Sequence, residues 1–333
     1  MLRSLSMASL CLTSSAAFAS LNPIPQESGF SGALGLGVSY SSIASNLYKG
    51  DADTSIAGIG GSPSSHSQTD AFPVLDLRYT FANSGTQFVL GNQVQDMLRM
   101  DYTQLLGVRQ QVGNYGIVTL AGTFGGWNAT NTWTDPYSTQ GNRSGTNRKS
   151  TGVLLGWENI LGSAWNMDFN QRKIKLSSEE SGQSIPALSA NQRALLDRNG
   201  DNTRVRIGYE WMLTQGQYLV PSMIWSQDNL NGEAMSSKAL GVKLDYVVRT
   251  GLNTITTNMY MGQTKYNQGN PLFNNQKADS RDYLLGLNYV RGELLGYKSL
   301  SGFINAAYGK SNSDIDFYSI TVKSVSTGVA YHF

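Results

Sequence analysis

The sequence predicts an all-β fold: a transmembrane, antiparallel, up-and-down β-barrel of about 14 strands, with about 12 or 16 as the neighbouring even counts. Three observations predict it. Apolar and polar residues alternate with a period of two along nearly the whole chain beyond residue 28. The alternating segments are joined by links that are short on one side and, with one exception, long on the other. The chain also ends in SITVKSVSTGVAYHF, a strand-like run carried to Phe333, where most soluble chains fray into a polar tail.

Taken in order, strands are expected at 29–41, 72–82, 86–92, 97–111, 116–125, 149–158 and 164–175, then at 203–213, 217–227, 236–248, 254–265, 281–291, 298–310 and 318–333. The strand at 97–111 alternates Leu98, Met100, Tyr102, Gln104, Leu106 and Val108 with Arg99, Asp101, Thr103, Gly107 and Arg109. At 203–213, Val205, Ile207, Tyr209, Trp211 and Leu213 share one face, and Arg204, Arg206, Gly208 and Glu210 share the other. Leu240, Val242, Leu244, Tyr246 and Val248 alternate with Gly241, Lys243, Asp245 and Arg249. Tyr283, Leu285, Leu287 and Tyr289 alternate with Asp282, Gly286 and Asn288.

A soluble antiparallel sheet also alternates, so a secreted β protein is the competing reading. The links discriminate. NSG at 83–85, VGNY at 112–115, NILGS at 159–163, TQG at 214–216, TGLN at 250–253 and GELLGY at 292–297 are short and carry turn glycines. The others, 42–71, 126–148, 176–202, 228–235, 266–280 and 311–317, are longer, and only 93–96 is short. Short periplasmic turns and long outer loops are the pattern of an outer-membrane barrel, and an even strand count leaves both chain ends on the periplasmic side. Closure follows from the bilayer, where every backbone donor and acceptor needs an internal partner. The apolar sets then face lipid, because an Arg or Lys there costs ~2–4 kcal/mol at mid-bilayer. Tyr40, Phe81, Trp157, Trp165, Tyr218, Trp225, Tyr308 and Tyr331, near strand ends, are expected in two interfacial girdles.

The start of the chain, MLRSLSMASLCLTSSAAFAS, reads as a signal peptide over 1–19: Arg3, an apolar run from Leu5 to Leu12, and a small-residue cleavage site at Ala17-Phe18-Ala19. Residues 20–28 form a short periplasmic segment, and 29–333 a single barrel domain. Cys11, the only cysteine, falls in the signal, so the mature chain has no disulfide and no thiolate metal site. With Arg3 removed, 24 basic residues face 23 acidic ones, scattered rather than clustered. Such a surface gives no argument for nucleic acid.

Val325, Val329, Tyr331 and Phe333 resemble the C-terminal recognition signal of bacterial outer-membrane barrels, in which alternate apolar or aromatic positions end on Phe. The wider chain is similar to an uncharacterised outer-membrane family of marine gammaproteobacteria, known as a domain of unknown function. PIPQESGFSGALGLGVSY, LRYTFANSGTQFVLGN, LLGVRQ, GVLLGWENILGS, LLDRNGD and IDFYSITVKSVSTGVAYHF carry that likeness. It implies localisation and fold, and brings no catalytic or ligand residues.

Enzymatic chemistry finds little support. The two histidines are His66, in the polar stretch GGSPSSHSQTD, and His332, at the periplasmic end of the last strand, far from the outer rim where a barrel hydrolase needs its base. Glu179-Glu180 reads as a solvated loop. Asp197, Asn199 and Asp201 in DRNGD are a weak calcium candidate, since an EF-hand would want Gly and Glu where Asn202 and Gly208 stand. No cofactor is implied.

The informative surface is the interior. The lumen candidates are Arg78, Arg99, Asp101, Arg109, Asp168 and Arg172 on the earlier strands, with Asp76, Lys149 and Glu158 beside them. On the later strands they are Arg204, Arg206, Glu210, Lys243, Asp245 and Asp282. Pairing across the wall is favoured over a dedicated solute site, because it avoids lone buried charge. With no room for an N-terminal plug, a gate has to come from an outer loop, and 126–148 or 176–202, with the helix-capable PALSANQRALLDRNG, are the candidates. The leading reading is a passive, porin-like channel for small polar solutes. The alternative is a non-conducting barrel whose outer loops bind a surface, phage or polysaccharide, and an outer-membrane hydrolase is weakest. The expected partners are outer-membrane lipid and lipopolysaccharide, the barrel-assembly machinery through the last strand, and small polar solutes; the barrel is expected to be a monomer.

Overall fold

The computed structural model describes residues 23–49, 54–98, 101–125 and 130–333. The expected signal peptide at 1–19, with Arg3 and Cys11, and the lumen candidate Arg99 lie outside the described residues. Among the described residues sixteen strand segments form one antiparallel sheet that closes on itself. The first half is β1 (Gly29–Ala44), β2 (Ser65–Phe81), β3 (Thr86–Asp96), β4 (Asp101–Gln111), β5 (Ile117–Phe124), β6 (Thr130–Trp133), β7 (Gly145–Glu158) and β8 (Trp165–Leu176). The second half is β9 (Gly200–Tyr209), β10 (Trp211–Thr214), β11 (Gln217–Leu230), β12 (Ser237–Thr250), β13 (Asn253–Tyr266), β14 (Ser280–Gly292), β15 (Leu300–Ser313) and β16 (Ile320–His332).

The wall has fourteen staves, as expected. β6 is a short addition that pairs with the outer end of β7 and bridges to Tyr48 through Thr132. β9 and β10 are one stave interrupted at Glu210, both lying on β11 opposite Val220 and Pro221, whose missing N–H suits a break in the ladder. Each stave neighbours the next in sequence, and β16 returns to β1 in a register from Ala33↔His332 to Ala44↔Thr321. Backbone bonds of 3.1 and 3.3 Å between Gly32 and Phe333 zip the last step of that seam. No free edge is left there, as a bilayer demands.

The outer face is the apolar set. Leu36, Leu120, Val242 and Met261 are each more than half exposed, which a monomer in water would not tolerate as a continuous belt. Aromatic residues crowd the short-turn end: Phe30, Tyr79, Phe81 and Phe88 form a chain of edge-to-face contacts with centroids 4.7, 4.7 and 5.9 Å apart. Tyr40, Phe81, Trp165, Trp225, Tyr308 and Tyr331 face outward as expected. Tyr218 does not: it lies on the inner face with Val220 and packs against Val247. Lys149 is a second correction, because it shares the outward phase of Val153 and Leu155 and is exposed beside Lys175.

Glycine on the inner face makes room for large neighbours. A Cβ on Gly37 would lie 2.5 Å from the Phe72 ring, and one on Gly328 would lie 2.4 Å from the Phe303 ring. The two rings reach over these glycines, with centroids 6.1 Å apart and planes tilted by 48°.

Candidate functional site

The lumen is shaped by a hairpin that leaves the wall. β2 is in register with β1 all the way out to Ala44↔Ser65, but its register with β3 stops at Asp76↔Gly91. β4 likewise leaves β5 beyond Gln104↔Phe124, while β3 and β4 stay paired with each other to Asp96↔Asp101. The tip of this hairpin folds inward. Leu98, 5% exposed, reaches the inner face of β14 and β15 at Leu284 and Gly309, and Met97 packs on Ile43, Ile320 and Val322. Leu98 and Tyr102, expected to face lipid, therefore face the lumen, and 93–96, expected as a short link, is the inward-folded end of β3, paired with β4.

Asp101 anchors the hairpin. Its carboxylate is paired with Arg172 of β8 and lies 3.5 Å from Arg148 of β7. Arg172 also donates to Ser150 Oγ at 3.0 Å and to Asn202 Oδ1 at 2.6 Å, and Asn202 donates to Asp228 Oδ1 at 2.6 Å. A buried ion pair persists only when its remaining donors and acceptors find partners, and this network supplies them.

Apart from Lys149, the other sequence-predicted lumen residues within the described chain lie on the inner face, mostly as pairs. Arg109 donates to Glu158 at 2.9 Å and to Gln87 at 2.8 Å. Arg206 Nε donates to Asp168 at 2.7 Å, Lys243 meets Asp245 at 2.9 Å, and Arg78 holds Asp76 through two bonds of 2.8 Å. Asp282 accepts from Ser280, Ser311 and Thr264 at 3.0, 2.6 and 2.9 Å. Arg204 lines the cavity between Arg206 and the hairpin, and Glu210 is buried at the break between β9 and β10. Arg109–Glu158 and Arg206–Asp168 join different strands, whereas Arg78–Asp76 and Lys243–Asp245 each lie within one.

A cavity of about 490 Å³ occupies the barrel below the hairpin. One side is apolar, with Phe72 and Val74 of β2, Phe303 of β15 and Ala330 of β16 packed together. The facing side is polar and charged, with Arg109, Glu158, Asp168, Arg204, Arg206 and Lys243. At the short-turn end Ile24, ahead of β1, is buried against Ile117 of β5.

Above the hairpin, a second space of about 90 Å³ shares Leu98 and Asp282 with the first. The outer loops roof it with a core of their own, in which Tyr137, Leu188, Leu196, Met235, Phe317 and Tyr318 are all buried. The hydroxyls of Tyr137 and Tyr318 share a hydrogen bond, and Asn270 Nδ2 donates to Tyr318 at 2.6 Å. Burial pushes the Tyr137 phenol up to about 12 and raises that of Tyr318 well above its ordinary value. Both expected gate segments take part. Asp135 accepts from the backbone of Tyr137, Gly182 and Ser184 at 3.0, 3.0 and 2.9 Å, and Arg198 ties Glu179 to the Trp133 and Thr134 carbonyls. The helix-capable stretch forms α1 (Ala190–Ala194), with Ser189 and Gln192 as a capping box.

Asp197 and Asn199 close a turn: Asp197 Oδ1 accepts from Asn199 N and Nδ2 at 2.8 Å each, and Asn199 Oδ1 accepts from Leu176 N at 2.8 Å. Asp201 points to the outer face opposite Lys173, so the three calcium candidates do not converge. His66 sits in β2 opposite Ile43 rather than in a loop. His332 Nε2 and Ser301 Oγ lie 2.6 Å apart at the short-turn mouth. Val325, Val329, Tyr331 and Phe333 face outward together.

No curated protein matches the chain in sequence. Among solved structures, it is similar to a loop-L8 deletion mutant of OmpT, an outer membrane protein of Vibrio cholerae, at 10% identity over 92% of this chain and 99% of that one, with a TM-score of 0.42. An anion-selective porin from Comamonas acidovorans matches at 12% identity over 92% and 99%, with a TM-score of 0.41. The outer membrane channel DcaP of Acinetobacter baumannii matches at 11% over 91% and 98%, also at 0.41. A family profile matches residues 29–332, the whole barrel, and by that match the chain belongs to the family described as protein of unknown function DUF2860.

Proposed function

We propose that the protein is an integral outer-membrane barrel, exported by a signal peptide at residues 1–19, that conducts small polar solutes passively and rests in a closed state. The observation that carries this reading is the cavity of about 490 Å³, in which Arg109, Arg206 and Lys243 stand with Glu158, Asp168 and Asp282 around a common space. Opposed charge across a wet constriction orients polar solutes and gives weak ion selectivity. The inward hairpin and the roof of outer loops act as gates in series.

The outer face supports the location. Lys149, Lys173, Lys175, Lys238, Lys265 and Lys323 all point outward at the long-loop ends of their strands. Cations at that level match an anionic outer leaflet such as lipopolysaccharide. Val325, Val329, Tyr331 and Phe333, on the outer face of the closing strand, suit recognition by the barrel-assembly machinery. The barrel functions as a monomer and not as an enzyme in this reading. The Ser301–His332 pair sits at the periplasmic mouth, where it meets solutes only after they have crossed.

Liposome swelling with a panel of sugars and amino acids tests the reading. Swelling with polar solutes below a size limit is expected, faster once the roof is loosened by Tyr137→Ala. A folded sample, verified by heat-shifted gel mobility, that swells with no solute in either form would remove it. A second reading, a binder of an external partner, is favoured by the roof having its own hydrophobic core. A binder would lose its partner in the Tyr137→Ala form and show no swelling.

A further inference from the structure

We propose that Asp282, ringed by the hydroxyls of Thr264, Ser280 and Ser311, is a cation filter at the neck between the two spaces, admitting monovalent cations and small solutes that carry one ammonium group. This rests on the reading of the barrel as a conduit and names the solute class that the conduit takes.

Asp282 stands on the route. Among the described residues, only Leu98, at the tip of the hairpin, and Asp282 border both the cavity of about 490 Å³ and the outer space of about 90 Å³. A solute moving from one to the other passes between these two side chains. Register builds the neck. Asp282 and Leu284 are successive inner-face positions of β14, opposite Ser311 and Gly309 of β15. A Cβ on Gly309 would lie 2.7 Å from Leu98 Cδ2, so the glycine is the seat in which the leucine rests. One step outward from that seat is the carboxylate.

This carboxylate has no counter-charge. Asp76, Asp101, Glu158, Asp168 and Asp245 each meet an arginine or a lysine. Asp282 is 2% exposed, and its partners among the described residues are three hydroxyls. Ser280 and Ser311 donate to Oδ1 at 3.0 and 2.6 Å, and Thr264 donates to Oδ2 at 2.9 Å. An ionised carboxylate has about four acceptor sites, so one on Oδ2 is left over.

Bracing three neighbouring staves needs no charge, because an asparagine could bridge the same hydroxyls without the cost of desolvating an anion. What the carboxylate adds is attraction for a cation. Each hydroxyl that donates to Asp282 keeps lone pairs of its own, so the ring offers a cation oxygen ligands in place of its water. An anion would meet the same charge as a barrier. In the wider cavity below, the paired charges offset one another and leave discrimination to the neck. Leu98 supplies the closure: an apolar side chain facing the acid keeps the neck dry, and a dry constriction blocks ions.

The test is ion selectivity of the full chain in planar bilayers under a tenfold potassium chloride gradient, for the unmodified protein, Asp282→Asn and Leu98→Ala. Openings of the unmodified protein should pass potassium at least tenfold more readily than chloride, and ethylammonium should carry current in place of potassium. Asp282→Asn should bring potassium and chloride to within twofold of each other. Leu98→Ala shortens the plug and leaves the acid, so it should open more often with the cation preference kept. Chloride passing as readily as potassium in the unmodified or the Leu98→Ala protein, or a preference unchanged within twofold in Asp282→Asn, overturns the filter and leaves the conduit. No current from any of the three, in samples shown to be folded by heat-shifted gel mobility, removes the conduit and the filter with it.

Discussion

Replacing Asp101 with asparagine removes one charge and little volume from the junction that holds the hairpin across the lumen. Asp101 is 3% exposed and meets two guanidiniums, those of Arg172 and Arg148. With the carboxylate gone, Arg172 keeps Ser150 and Asn202 as acceptors but loses its counter-charge. Breaking a buried pair in this way costs about 3–5 kcal/mol. If that cost falls on the docked hairpin, its equilibrium with an undocked form shifts by about two to three and a half orders of magnitude, at tenfold for each ~1.4 kcal/mol. Single-channel recording in planar bilayers reads the result. Asp101→Asn is expected to give larger or far more frequent openings than the unmodified protein. A second change, Arg172→Met, removes the nearer of the two cations left facing the site, so the double variant should regain part of the lost thermal stability while still conducting freely. Conductance and stability both unchanged in Asp101→Asn would refute the anchoring role.

Other perturbations probe the wall, the roof and assembly. Leu120→Arg places a cation in the outer apolar belt, where Leu120 is 58% exposed, and should lower folding stability in lipid by ~2–4 kcal/mol, measured by urea titration in vesicles. The roof should loosen in alkali: Tyr137 titrates near 12 in the folded protein against an ordinary ~10, so the neutral phenol stabilises the roof fully below pH ~10 and that stabilisation is lost as pH rises through 12. Channel openings should rise over that window, and Tyr137→Phe should move or abolish the rise. Deleting Phe333, which bonds to Gly32 across the closing seam, should lower the yield of membrane-inserted protein before any transport property changes. Normal insertion with altered conductance would count against an assembly role.

The staves were legible because a period of two is a local property that a barrel wall expresses directly. Val205 to Leu213 and Leu240 to Val248 face outward in the phase their spacing requires, and Arg204, Arg206, Lys243 and Asp245 face inward with them. The hairpin was not legible for the same reason. Leu98 and Tyr102 alternate with Asp101 and Thr103 whether the strand stays in the wall or leaves it, since alternation reports which side of a strand a residue takes, not where the strand goes. Pro73 in the middle of β2 was the available signal, because a proline there asks for an edge. Charge alone is no mark of the lumen: Lys149, at the outer end of β7, reaches the headgroup level and needs no interior. The roof joins Tyr137 to Tyr318 across 181 positions, and nothing local to either residue marks the contact.

In the proposed channel, the hairpin and roof hold a route through the barrel shut. This closure is tested most directly by recording the full-length protein in planar bilayers beside a form with both gates weakened, Asp101→Asn with Tyr137→Ala. Rare, small openings in the first and sustained conductance in the second are predicted. Silence in both, from protein shown to be folded and inserted, would contradict it.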